Sequence, residues 1–195
     1  MTTGRTNAQG RTTIRAARDV LDDCRWALMN HTGDLQGEAF RVSWVAVVAL
    51  LRTVGHVLRN VDAREGDTHL KKAIADLWSN LKAGEKQRQP PIFWDFIEQE
   101  RNLILKEYIL GAKRTAHFPV VDRVGWTVEL SGGKSKPGRT GRIEVIGAVT
   151  VTSEITRGLF KGKDERVVAE DAVRWWQETL DGIDKAAELG RLGQI

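Results

Sequence analysis

Glu100, Arg101, Asn102, Lys106, Glu107 and Tyr108 crowd into one short stretch of an otherwise apolar segment. Projected at roughly 100° per residue, Phe93, Phe96, Ile97, Leu103, Ile104 and Tyr108 share one helix face. Glu100 and Glu107 fall inside that face, and Arg101 sits at its edge. A carboxylate buried without a partner costs several kcal/mol, so both glutamates need cations or hydrogen-bond donors. Arg52, His56 and Arg59 follow one another at i, i+4 and i+7 on an earlier helical segment, which puts them on one face. The expectation is that Arg52 and His56 meet Glu100 or Glu107 between the two helices. The bland form of such a network only fixes helix register. The functional form is a set of groups with shifted proton affinities beside a cleft. A pair of carboxylates with an imidazole in an internal pocket would also suit a small-molecule enzyme.

Other motifs carry less. Gly133 to Thr140 (GKSKPGRT) resembles a phosphate-binding loop with Arg139 in the lysine position. That motif needs a strand before it and a helix after it, whereas extended, β-rich sequence follows here. The better expectation is a hairpin tip whose Lys134, Lys136, Arg139 and Arg142 contact a nucleic-acid backbone or an acidic partner. Trp175-Trp176 point about 100° apart on a helix, so one is core and its neighbour lies on the flank. The remaining tryptophans of the seven are read mostly as core. The lone Cys24 excludes an internal disulfide or a cysteine-based zinc site. His31, His56, His69 and His117 show no ligand spacing, so no metal and no cofactor is expected.

Charge is unevenly placed. Residues 1–18 hold Arg5, Arg11, Arg15 and Arg18 and no acid, and residues 131–142 hold four bases and no acid. With a chain total of +4, the remainder sums to −4. Two basic appendages on a mildly acidic body suit a phosphate-rich or acidic partner, or simply solvent. A composition 41% hydrophobic and 29% charged excludes wholesale disorder. The longest nearly unbroken apolar run, Val42 to Leu51, is too short for a bilayer. No apolar leader is visible in the first 20 residues. A cytoplasmic setting without a membrane partner is expected.

The elements that must position these residues are mainly helical. Residues 1–11 read as a disordered basic arm, and 12–195 as a single domain. Apolar steps of three and four predict a helix from about Thr12 to His31, capped by Thr12 or Thr13. A second runs from about Gln36 to Asn60, apolar nearly all round and so central. Residues 61–69 are read as a loop. A third helix follows, capped by Asp67 or Thr68, and 83–89 form a polar break. Pro90-Pro91 open a fourth helix reaching about Ala112. Alternation at Val124, Trp126, Val128 and Leu130, then Ile143 to Val151, predicts a β-hairpin or three-stranded insertion over about 121–157. A last helix begins near Asp164 and stops near Gly190. The fold class is a mainly α bundle of about five helices with a β insertion before the last.

The run from Glu100 to Tyr108 resembles the signature of HEPN domains, all-helical modules of defence and toxin–antitoxin systems. One branch, paired with a nucleotidyltransferase antitoxin, has Arg-x4-His-x-Tyr. Arg101, Asn102 and Tyr108 occupy the matching places, and Lys106 stands where that branch has histidine. The resemblance implies an RNA- or nucleotide-binding module and a metal-independent endoribonuclease, with Arg101, Asn102, Lys106 and Tyr108 as its site. It also implies a homodimer and an antitoxin partner. Because lysine is a poor stand-in for an imidazole near neutral pH, the expected chemistry is weakened or lost. The alternative expectation, of a different class, is a non-catalytic interaction subunit that docks through its basic arm and basic loop.

Overall fold

The fold is that of a computed structural model, which describes residues 10–117 and 150–193. Two compact units divide the chain, residues 1–113 with 153–195 and residues 114–152. The first unit carries the helices: α1 (Ala16–Met29), α2 (Gly37–Glu65), α3 (Thr68–Gly84), α4 and α5 (Glu165–Leu192). Helix α4 opens as a wide π-helical segment, Ile92–Ile97, and continues as Glu98–Glu107. Strands β1 (Ala112–His117) and β2 (Thr150–Ile155) pair as a two-stranded antiparallel sheet before α5. The chain is thus a mainly α bundle with a β-hairpin, as the periodicity predicts.

Helix α2 is the axis. It runs as Gly37–Val57, a π-helical turn Leu58–Asp62, and a last turn Ala63–Glu65. By length and composition it is apolar enough to cross a membrane. In this fold α1, α4 and α5 pack against it, and its Phe40, Trp44, Val47, Val48, Leu51, Val54 and Leu58 are buried. Trp176 of α5 is wholly buried beside it and donates its indole N–H to the Leu51 carbonyl at 2.9 Å. Gly55 permits the close approach, since a Cβ there would lie 3.1 Å from both Trp176 and Trp78. Trp175 is half-buried on the flank, as helix geometry dictates. Not every tryptophan is core: Trp26 is 65% exposed.

Several boundaries differ from the sequence expectation, each for a local reason. Helix α1 is not capped by a threonine. The buried Asp62 of α2 caps it from outside, accepting from the N–H groups of Arg15, Ala16 and Ala17 at 3.0, 3.0 and 2.8 Å. Residues 61–65, expected as a loop, continue α2 as helix. Arg11 is held as well, bridging Glu65 and Asp67 through its backbone and pairing with the Glu65 carboxylate at 2.8 Å. The cap of α3 falls where the sequence places it, and α5 starts, as expected, at Asp164, which caps it. Asp67 accepts from Leu70 N–H at 2.8 Å, and Asp164 from Arg166 and Val167 N–H at 2.9 and 3.1 Å. Helix α4 ends at Glu107, short of Ala112, because Tyr108 takes the left-handed conformation (φ 51°) that terminates helices. The predicted strand segments 124–130 and 143–149 lie outside the described residues, as do residues 1–9.

Candidate nucleic-acid interface

Helices α2 and α4 meet along a flank where Arg52 Nε lies 2.6 Å from Glu98 Oε1. His56 and Arg59 follow Arg52 at one-turn spacings on α2, and Arg101 follows Glu98 by one turn on α4. Residues three and four apart on a helix are neighbours, so the Arg52–Glu98 contact gathers all five. Arg52, Glu98 and Arg101 are half-buried, while His56 and Arg59 are exposed. Arg59 lies over the Trp78 ring, 5.9 Å from its centroid. Arg52 pairs with Glu98, and the charges of Arg52, Arg101, Glu98 and Arg59 all act on His56. Loss of water around the ring, then Arg52 and Arg101, lower the pKa of His56, so its uncharged form is favoured. Burial and the charge of Arg101 likewise lower the pKa of Arg52, against the pull of Glu98.

This is not the pairing expected from the helix projection. Glu100 is buried at 3% exposure as predicted, but it meets neither Arg52 nor His56. It accepts instead from the Trp44 indole N–H at 3.4 Å and the Gly111 backbone N–H at 3.1 Å. Glu107 is exposed, since the helix stops there before its apolar face turns inward again. The acid that takes Arg52 is Glu98, which sits at the rim of the interface, where a guanidinium keeps part of its hydration. Glu100 is buried while Glu107 and His56 are exposed, so among the described residues the three do not come together as a small-molecule enzyme built on them requires.

Burial raises the pKa of Glu100, opposed by its bonds to Trp44 and Gly111 and by the charge of Arg157. An acid whose native pKa is raised favours folding fully below its unfolded value of about 4.3. That contribution is lost as pH rises through the native value. Glu100→Gln is therefore expected to flatten the fall in stability above about pH 4.3. Urea midpoints at acid and neutral pH check it, and parallel pH profiles for both proteins would refute it.

The motif residues divide. Arg101 belongs to the cluster and donates to the Asn102 side-chain carbonyl at 2.9 Å. Lys106 is exposed and makes no hydrogen bond or ion pair among the described residues. Tyr108 is 64% exposed, with Arg41 5.9 Å above its ring. Lys134, Lys136, Arg139 and Arg142 lie outside the described residues. Among the described residues no three His, Cys, Asp or Glu side chains are placed to hold a metal ion. A surface hollow of about 720 Å³ between the start of α1 and the end of α5 offers no unmatched arginine in Arg18, which pairs with Asp181 and Asp184 at 2.8 and 2.7 Å.

One polar group was not visible in the sequence at all. His31 Nδ1 lies 2.9 Å from Ser43 Oγ, and its Nε2 lies 3.3 Å from Glu165 Oε1. The set has the order of a serine–histidine–acid relay. His31 and Glu165 are each 1% exposed, and the His31 ring packs against Phe40 and Trp44 at 5.2 and 5.5 Å. A substrate has no access to the imidazole, so the relay is a structural tie between α1, α2 and α5. The partners stand 12 and 134 positions from His31, and no local spacing signals them.

No family model, curated protein or solved structure matches this chain.

Proposed function

We propose that this chain is a HEPN-like RNA- or nucleotide-binding module of a defence or toxin–antitoxin type system, with its nuclease chemistry weakened or lost. The observation that supports it is the placing of Arg101 beside Arg52, His56 and Arg59 with Glu98 as the neighbouring acid. Unmatched guanidiniums at a half-buried rim suit phosphate, which they bind in a planar fork. Lys106 and Tyr108 lie outside that cluster, which fits a binding role better than a catalytic one. The reading includes a homodimer and an antitoxin-like protein partner.

Labelled single-stranded RNA titrated with the protein at low salt tests it. Arg101→Ala is expected to weaken binding by about tenfold and to reduce the salt slope by about one. Wild-type protein that fails to bind RNA or a nucleotide at low salt would sink the proposal. A second reading, a non-catalytic interaction subunit, is favoured by Trp26 and Met29, which stand one turn apart on α1 at 65% and 62% exposure. In that case Trp26→Ser changes the oligomeric state or partner capture, and Arg101→Ala changes neither.

A further inference from the structure

We infer that Arg52, His56, Arg59 and Arg101 bind a terminal phosphate, the monoester at an RNA end or on a mononucleotide. This rests on the nucleic-acid reading above and specifies which part of the ligand the cluster takes.

Charge points to a monoester. With His56 uncharged, three guanidiniums and the Glu98 carboxylate leave two positive charges uncompensated. A phosphomonoester carries about −1.5 to −2 at neutral pH, whereas each linking diester carries one charge. A site evolved only to track a backbone would need one cation per phosphate, spread along a groove. Here Arg52, His56 and Arg59 follow one another over two turns of α2, with Arg101 of α4 beside His56.

Unused donors point the same way. Buried N–H groups almost always have an acceptor, and those without one mark a missing partner. One such group lies beside this cluster. The Trp78 indole Nε1 is buried without an acceptor beneath Arg59. The neutral imidazole of His56 adds one N–H without adding repulsion. A guanidinium stacked over a ring keeps its edge donors free, and Arg59 is exposed. Donors outnumber acceptors throughout, and a three-oxygen phosphate end supplies what is missing.

The experiment is an anisotropy titration of one short RNA carrying a 5′-phosphate, a 3′-phosphate or neither, with AMP and adenosine as competitors. End-phosphorylated RNA is expected to bind at least about tenfold tighter than the unmodified strand. Arg59→Ala should erase the difference, Arg59→Lys should retain part of it, and Trp78→Phe should reduce it by removing the indole N–H together with part of the ring that carries Arg59. Thermal melts confirm that each variant is folded. Competition by AMP but not adenosine identifies a mononucleotide as the source of the phosphate. No competition by AMP, with the end preference intact, identifies the RNA end. Equal affinity for phosphorylated and unmodified RNA overturns this inference while leaving RNA binding in place. Failure of RNA and AMP alike to bind removes the underlying reading as well.

Discussion

Asp62→Ala is expected to destabilise the fold by about 3–5 kcal/mol, an effect out of proportion to the small side chain removed. The first amides of a helix have no partner within the helix. In α1 none of the local side chains supplies one. Asp62 serves three of them, with Oδ1 taking Arg15 and Ala16 and Oδ2 taking Ala17. Its carboxylate is 1% exposed, so water cannot replace it. Truncation leaves three amides without an acceptor, each worth about 1–3 kcal/mol when buried, offset in part by local relaxation. The positive end of the α1 dipole also loses its anion. For a chain of this size the melting midpoint should fall by roughly 10 °C. Asp62→Asn keeps one oxygen and should cost less. A fall no larger than that of Asp76→Ala, an exposed acid paired with Lys72 at 2.6 Å, would refute the assignment.

His31→Ala is expected to cost about 3–5 kcal/mol, because it removes the buried imidazole that ties Ser43 of α2 to Glu165 of α5 and empties its place against Phe40 and Trp44. The histidine stands just past the end of α1 and the glutamate in the first turn of α5. A carboxylate in the first turn of a helix faces the positive end of its dipole. Arg166 Nη1 also donates to the His31 carbonyl at 3.1 Å, so one turn of α5 clasps the end of α1. Glu165→Gln should cost less, since the amide oxygen still accepts from the imidazole. Replacing both by apolar residues should cost less than the two single losses combined, because no buried charge remains. A double-mutant cycle in urea measures this coupling. Strict additivity of the two changes would show that the imidazole and carboxylate do not act as a pair.

Both expectations concern residues for which the sequence gives no local signal, and this marks where a sequence reading ends. Asp67 and Asp164 are legible as caps because each bonds to amides two or three positions ahead. Asp62 is a cap of the same chemistry, but the amides it serves lie 45 to 47 positions away. The same segment therefore reads as a polar loop and folds as helix. Tyr108 hides in a similar way: a glycine would announce the end of α4, and a tyrosine in the left-handed region does not.

The candidate site is legible in its members and not in its pairing. Helical spacing alone brings Arg52, His56 and Arg59 to one face and puts Glu100 among apolar neighbours. Which acid meets Arg52 depends on where the helices cross. Trp44 and Gly111 happen to supply neutral donors to Glu100, so that buried acid needs no cation, and the rim acid Glu98 takes the arginine.

The amino-acid sequence by itself determines the mainly helical class, the central place of α2, the cap of α3, the start of α5, and the burial of Glu100. Periodicity and short-range hydrogen bonding are enough for these. Only the tertiary structure decides the cap of α1, the His31–Ser43–Glu165 tie, the pairing of Arg52 with Glu98 and the approach of Arg101 to His56. Those contacts join residues on different helices, and their partners are chosen by packing geometry, which no local pattern encodes.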